Sequence, residues 1–560
     1  MSPAYRPQGG PTRKAGHTMD AVTSVPTPAN EPVHTYAPGT AERESLQAKL
    51  SELENAKHEL TQTIGGRRRM AGGEVFDVVQ PHDHGHVLGV SAQATNSDVA
   101  DAVAAAKAAA REWSELPFDE RAAVFLRAAD LIAGPYRDTL NATTMLGQSK
   151  SVQQAEIDAA CELIDFLRFN VSYARRILAE QPNSVPGAWN RMDYRPLDGF
   201  VVAITPFNFT AIAGNLPSSP ALMGNTVVWK PTPSQQLAAH YTMQVFEEAG
   251  LPPGVINMVT GDGRAVSEVA LTDPGFAGLH FTGSTATFKL LWRTIAGNLD
   301  TYGGYPRIVG ETGGKDFVVA HPSANVDKLA AALVRGAFEY QGQKCSAASR
   351  AYVPRSLWND GLREKLADLT RTVSYGDVTD FSHFGGAVIN ARAFAKHRAL
   401  LERVPGDEHL ELLVGGGCDD SVGWFVEPTV LVADDPRHEV FTTEYFGPIL
   451  AVYVYEDGEY ENVLELVDTT APYALTGAVF ADDRRAVQQA HRALRHTAGN
   501  FYVNDKPTGS IVSQQPFGGS RASGTNDKAG SMFNLLRWTS PRSIKETFDA
   551  PVDITYPHMG

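Results

Sequence analysis

At 560 residues the chain exceeds what one hydrophobic core usually serves, so two or three domains are expected. Its 64 acidic against 49 basic side chains give a formal charge of −15, and the one basic run, Arg67-Arg68-Arg69, reads as a solvated loop beside Gly65-Gly66, which excludes a nucleic-acid partner. No stretch of about 18 apolar residues offers a membrane span, and three scattered cysteines make neither a disulfide framework nor a CxxC metal pair, which fits a reducing cytosol.

Residues 1–36 are rich in Pro, Gly, Thr and Ala and hold no apolar signal core, so they read as a disordered segment. Arg6, Arg13 and Lys14 suggest a mitochondrial transit peptide, but the prolines and glycines break the amphipathic helix it needs; Met19 offers a later start. From Ala41, AERESLQAKLSELENAKHEL has apolar spacing suited to one amphipathic helix. Two more helices are predicted in SDVADAVAAAKAAAREWSEL, with Ser97 as cap and Asp98 in its first turn, and in FDERAAVFLRAADLIAGPYRDTLNATTML. IDAACELIDFLRFNVSYARRIL reads as another. Past Pro196 the texture changes to short β-branched runs, GFVVAITP, NTVVWKP, GVINMVTG and AGLHFTG, separated by helix-like segments such as QQLAAHYTMQVFEEAG. The alternation resumes after residue 306 with RIVGETGGKDFVVA, SAASRAYVP, GPILAVYVYE and LTGAVFAD, so two α/β domains in tandem are expected.

Three motifs carry reactive groups. YQGQKCSAAS at 340–349 sets Cys345 among small and polar residues, as either a packed hydrophobe or a nucleophile. ITPFNFT at 204–210 holds Asn208 between aromatics, a turn asparagine or an oxyanion donor. GETGGK at 310–315 puts Glu311 beside a glycine pair, a solvated carboxylate or an activator of water. VVWK ends one strand at Lys230 and FTGST another, at the strand ends where doubly wound sheets bind dinucleotides, although no usable GxGxxG is present. HDHGH at 82–86 reads as a loop, not a metal site, Cys161 as helix packing and Cys418 as an exposed loop thiol.

In this order and with these flanks, ITPFNFT, VVWKPTPS, FTGST, GETGGK, GQKCS, TEYFGP, YALTGAVF and QPFGG resemble the aldehyde dehydrogenase superfamily, from about residue 37 to 548. The resemblance implies an α/β fold: a Rossmann-like NAD-binding domain (37–182 and 201–308), a catalytic α/β domain (309–522), and an oligomerisation flap and tail (183–200 and 523–560). It implies Cys345 as the thiolate that attacks an aldehyde, Asn208 and the Cys345 backbone N–H as oxyanion donors, and Glu311 as activator of the hydrolytic water. NAD is the implied cofactor, with Lys230 at the adenosine ribose, Gly283 and Ser284 near the pyrophosphate, and Glu444 beside Phe446 at the nicotinamide ribose. Pro233 and Ser234 stand where many NAD-using relatives carry a glutamate, so Ser234 joins the cofactor set while the case for NAD over NADP loosens.

NFYVNDKPTGSIVSQQPFGGSRASGTNDKAG, with AEIDAACELIDFLRFN and PHDHGHVLG, narrows the resemblance to the branch that oxidises L-glutamate γ-semialdehyde to L-glutamate, the second step of proline breakdown. A Gly-Ser turn can offer N–H groups and a hydroxyl to a carboxylate. That branch implies Gly509 and Ser510 as carboxylate anchor, Ser346 nearby, Phe209 and Phe517 as walls, and Glu162 as partner of the substrate ammonium, although a helical glutamate alone reads as a solvated face. The alternatives are another ω-semialdehyde or aliphatic aldehyde, a catalytically silent member of the fold, and a CoA-acylating relative. The resemblance also assigns WNRMDYRPLDG to a β-hairpin flap and LRWTSPRSIKETF to a strand that pairs subunits, implying at least a homodimer. With no barrel-sized region ahead of these motifs the chain reads as a stand-alone enzyme, with proline dehydrogenase as a transient partner, and its charge, apolar runs and inferred chemistry call for no nucleic acid, membrane or metal.

Overall fold

The computed structural model describes residues 22–560; the early basic residues and the start at Met19 lie outside the described residues. Two seven-stranded sheets organise the chain. In the first, the order is Arg307–Glu311, Phe276–Thr282, Phe200–Thr205, Thr226–Pro231, Ile256–Met258, Gln62–Ile64 and Arg67–Arg69. The first five are parallel and the last two close the edge antiparallel. Val201 and Ala203 enter one core with Trp229, whereas Phe200 and Val202 enter another with Val228. Burial on both faces is why these runs read as unbroken apolar stretches.

The second sheet runs Leu410–Val414, Thr429–Ala433, Ile449–Tyr455, Ala348–Pro354, Asp316–Ala320, Thr476–Phe480 and Asn500–Val503, parallel except for its first pair. Phe317 and Val319 face one core, Val318 and Ala320 the other. The chain passes from the first sheet to the second through Thr312–Lys315. A boundary at 308/309 would therefore cut the strand Arg307–Glu311, which belongs wholly to the first sheet.

Local differences have local causes. The helix expected to be capped by Ser97 starts earlier, at Asn96, because Thr95 and Asp98 form a reciprocal capping box. Residues 118–146 make two helices, Phe118–Ala133 and Arg137–Gln148, broken where Gly134 leaves helical geometry ahead of Pro135. Arg67–Arg69 is an edge strand, not a loop, with Arg69 paired to Asp98 and Asp101. Cys418 lies half-buried in a short strand paired with Phe425–Val426.

Two further corrections concern the chain's ends. Residues 22–36, expected to be disordered, run extended across the helices of the first domain and are tied there by buried charge. The His34 N–H donates to Glu156 at 2.8 Å, the Tyr36 hydroxyl to the same carboxylate at 2.9 Å, and Arg137 to Glu31 at 2.7 Å. The flap is not a hairpin: Ala188–Arg195 pairs antiparallel with Ser540–Thr547 along all eight residues. Residues 196–199 lead straight into the strand Phe200–Thr205, so the partner strand comes from the far end of the chain.

Candidate active site

Glu311 is the last residue of the edge strand Arg307–Glu311, and Cys345 lies on the loop entering the strand Ala348–Pro354 of the other sheet. That loop is locked before the cysteine. Tyr340, Gln341 and Gly342 take left-handed conformations in succession (φ 50°, 52° and 65°). A Cβ at Gly342 would meet the Gly447 carbonyl at 2.2 Å, so only glycine allows this close pass. The turn is clamped by the Tyr340 hydroxyl donating to the Gln148 carbonyl (3.0 Å) and by the Gln341 amide donating to the Ser149 and Ala387 carbonyls (3.0 and 2.8 Å).

The Cys345 thiol donates to Glu311 Oε1 at 3.6 Å. Asn208, in the turn between the strand Phe200–Thr205 and the helix Thr210–Leu222, donates Nδ2 to the Gln343 carbonyl at 3.0 Å. The Cys345 backbone N–H meets no backbone acceptor among the described residues. Burial pushes the thiol well above its ordinary range, and the carboxylates of Glu311, Asp316 and Glu444 add to the shift. This environment favours the protonated thiol, so attack on an aldehyde calls for a group that takes the proton. Burial also raises Glu311, to about 7, opposed by its bond to Cys345 and by Lys528, so this carboxyl can exchange a proton near neutrality.

Cys345 borders two cavities. The larger, ≈ 290 Å³, is lined by Ser346, Phe209, Phe517, Glu162, Gly509 and Ser510, so all six residues expected at the substrate gather on it. The loop carrying Gly509 (φ 92°) and Ser510 forms part of its wall, joined to the cysteine's loop where Ser346 Oγ is engaged with Thr508 Oγ1 at 2.7 Å. Glu162 is no solvated helix glutamate: burial first and Asp158 second hold its carboxyl well above the usual range. Cys161 reaches the same cavity while its thiol donates to Glu156 at 3.5 Å.

The smaller cavity, ≈ 20 Å³, brings Glu444 and Phe446 to the other side of Cys345. Glu444 accepts from the Gly314 N–H at 2.9 Å, and Phe446, at φ 59°, stacks edge-on with Phe207. Lys230 is the penultimate residue of the strand Thr226–Pro231, with Ser234 in the turn Pro233–Gln235 just beyond. Ser284 caps the 13-residue helix Thr285–Gly297 by accepting from the Thr287 N–H at 3.1 Å, and Gly283 leaves the backbone bare beside it.

These donors fit a dinucleotide. Burial lowers the Lys230 ammonium to about 8, against the opposing pull of the Asp262 carboxylate. A buried lysine and a buried Glu444 carboxylate suit ribose hydroxyls, and the helix N-terminus at Thr285, preceded by Gly283, suits a pyrophosphate. Asp262 was not legible as part of this site, because it comes from a different loop. Lys506, whose ammonium is held on the Thr508 carbonyl at 2.9 Å, and Lys528 both lie within the motif NFYVNDKPTGSIVSQQPFGGSRASGTNDKAG without being singled out; Asn30 also lines the larger cavity, with no motif to mark it.

Comparison with known proteins extends this geometry. The family model described as aldehyde dehydrogenase family matches residues 69–544. The chain is 49% identical over 543 residues to delta-1-pyrroline-5-carboxylate dehydrogenase, mitochondrial, of Dictyostelium discoideum, covering 96% of this chain and 97% of that one. It is 48% identical over 532 residues to the like-named protein of Homo sapiens, covering 95% and 94%. A crystal structure of the Delta-pyrroline-5-carboxylate dehydrogenase from Mycobacterium tuberculosis bound with NAD superposes with a TM-score of 0.94 at 62% identity, covering 97% of this chain and 100% of that one. The mitochondrial names of the first two overturn the cytosolic expectation, since scarce unpaired cysteines mark a reducing compartment without saying which. Sequence, sheet order and family match agree: the chain belongs to the aldehyde dehydrogenase family.

Proposed function

We propose that this enzyme oxidises L-glutamate γ-semialdehyde, the open form of Δ1-pyrroline-5-carboxylate, to L-glutamate with NAD, in proline degradation. The observation that carries the reading is one cavity lined by the Cys345 thiol, the Glu311 carboxyl and the Gly509-Ser510 loop, with the Asn208 amide bonded to the Gln343 carbonyl two residues before the cysteine. The names of the similar proteins point the same way.

The Cys345 proton passes to Glu311 as sulfur attacks the aldehyde carbon, forming a C–S bond and an oxyanion. The free N–H of the Asn208 amide and the Cys345 backbone N–H receive that oxyanion. When bound, NAD supplies the acceptor for the hydride that the thiohemiacetal carbon gives up. Glu311 releases its first proton to solvent and then takes one from water as the water oxygen attacks the thioester. The C–S bond then breaks and the carboxylate product leaves. Lys230, Ser234, Gly283, Ser284, Glu444 and Phe446 hold the cofactor in this reading. At the substrate's other end, Gly509 and Ser510 receive the α-carboxylate and Glu162 the ammonium, whose arrival restores the charge that burial suppresses.

The ribbon of Ala188–Arg195 and Ser540–Thr547 supports a homodimer, because it leaves Trp189 and Val185 exposed beside unpaired strand edges. Light scattering of the purified chain tests that; a monomer refutes it. A transient contact with proline dehydrogenase belongs to the same reading, because that reaction supplies this substrate. Turnover of Δ1-pyrroline-5-carboxylate compared with propionaldehyde tests the whole: marked preference for the first supports it, and indifference refutes it.

A further inference from the structure

The segment ahead of the first helix has no role in the family motifs, yet it reaches the substrate cavity: Asn30, Glu31 and Val33 line it. The Asn30 amide spans two walls. Its Nδ2 donates to Asp165 Oδ2 at 2.8 Å and to the Val512 carbonyl at 2.9 Å, and its Oδ1 accepts from Gln514 Nε2 at 3.0 Å. Asp165 lies three residues from Glu162, within the helix Glu162–Ala179. Val512 and Gln514 continue the loop that begins with Gly509 and Ser510.

The tie is anchored behind Asn30 as well. The Glu31 N–H donates to Asp165 Oδ1 at 2.7 Å, so each oxygen of that carboxylate accepts from the segment. The Glu31 carboxylate is gripped by Arg137 at 2.7 Å and Arg168 at 2.6 Å, and the Pro32 carbonyl accepts from Arg137 at 2.7 Å. The loop itself carries left-handed residues at Gly509 (φ 92°) and Ser513 (φ 73°). Its other hydrogen bonds around residues 511–515 are internal, from the Gln514 N–H to the Ile511 carbonyl and from the Ile511 N–H to the Gln515 side chain. Asn30 thus joins a loop that mainly bonds to itself to a fixed helix.

We infer that Asn30 is a positioning residue for the amino-acid end of the substrate, tying the loop of Gly509 and Ser510 to the helix of Glu162 so that the carboxylate and ammonium subsites keep a fixed separation. The inference rests on the roles proposed above for those three residues. An aldehyde without an amino-acid end does not use that separation, so Asn30 acts on specificity and leaves the chemistry at Cys345 alone.

The test is steady-state kinetics at saturating NAD, with Δ1-pyrroline-5-carboxylate and with propionaldehyde, on wild type and three variants. Asn30→Ala should raise KM for the first substrate about ten-fold, the worth of one hydrogen bond to a charged group, with little change in kcat. Its kcat/KM for propionaldehyde should stay at the wild-type level. Asn30→Asp should be worse, because it sets a carboxylate against Asp165 and the Val512 carbonyl. Combining Asn30→Asp with Asp165→Asn returns an amide donor to the pair and should recover much of the lost KM.

An unchanged KM in Asn30→Ala would overturn the inference. So would parallel losses on both aldehydes, which mark a general loosening of the fold, and so would a double variant no better than Asn30→Asp. A wild type indifferent between the two aldehydes would instead remove the functional reading, and the inference with it. A selective wild type with an unresponsive Asn30→Ala removes the inference alone.

Discussion

Cys345, on the loop entering one sheet, and Glu311, at the end of the other sheet's edge strand, meet at 3.6 Å, thiol to carboxylate, and the carboxylates of Glu311, Asp316 and Glu444 oppose ionisation of the sulfur. The proton must therefore travel between these two groups, and the pH behaviour of the enzyme follows from Glu311. A carboxyl titrating at about 7 is a base only above that value. Turnover in wild type should rise with pH through about 7. Glu311→Gln should remove that limb and lower turnover by about 10²–10⁴-fold. A wild-type profile flat from pH 5 to 9 would show that Glu311 is not the base.

The same shift has a consequence for stability. Burial raises the folded pKa of Glu311 from 4.5 to about 7, so the folded chain binds more protons than the unfolded chain between those values. Stability falls as pH rises through that window, and the penalty persists above it. Glu311→Gln carries no such penalty and should be more stable than wild type at pH 8 by up to about 3 kcal/mol. Thermal melts should show the gap closing as pH drops toward 4.5. A wild type melting above the variant at pH 8 would contradict this.

Ser510 should govern affinity for the amino-acid end. Ser510→Ala is expected to raise KM for Δ1-pyrroline-5-carboxylate about five- to ten-fold, the worth of one lost hydrogen bond, and to leave propionaldehyde kinetics unchanged. Equal effects on both aldehydes would place Ser510 outside the carboxylate subsite.

The buried Lys230 can be tested without turnover. NAD should raise the melting temperature of wild type, since a ligand that binds only the folded chain stabilises it. Lys230→Met should show little of that shift and no loss of melting temperature when unliganded, because its removal takes away a desolvated cation. An undiminished NAD shift in the variant would remove Lys230 from the cofactor site.

Much of this site was legible because its pieces lie in contiguous motifs at strand ends. ITPFNFT, GETGGK and GQKCS each follow or precede a core strand, and a parallel sheet brings strand ends together. The anchoring of residues 22–36 was not legible. Asn30 and Asp165 are 135 residues apart, and a Pro-rich stretch has no periodicity to announce that its polar groups have buried partners. Glu162 was legible only through the family resemblance: helical spacing says which face a residue occupies, not whether that face meets solvent or a cavity. The flap failed as a hairpin because strand pairing between distant segments leaves no turn signal.

The charge buried under the N-terminal segment should be costly to break. Glu156 accepts from Arg137, Asn141, Tyr36 and the His34 N–H, and burial alone would raise it were these bonds absent. Arg137→Met leaves that carboxylate without its cation and should cost about 3–5 kcal/mol in denaturant unfolding. A change below about 1 kcal/mol would show that the pair contributes little.

The central claim is that Cys345 carries substrate carbon through a covalent acyl stage in an enzyme selective for an amino-acid aldehyde. NADH formation from Δ1-pyrroline-5-carboxylate and from propionaldehyde, with wild type and Cys345→Ala side by side, tests it most directly. Wild type should strongly prefer Δ1-pyrroline-5-carboxylate, and Cys345→Ala should form no NADH above background. Equal rates on the two aldehydes, or NADH formation that survives the loss of Cys345, would contradict it.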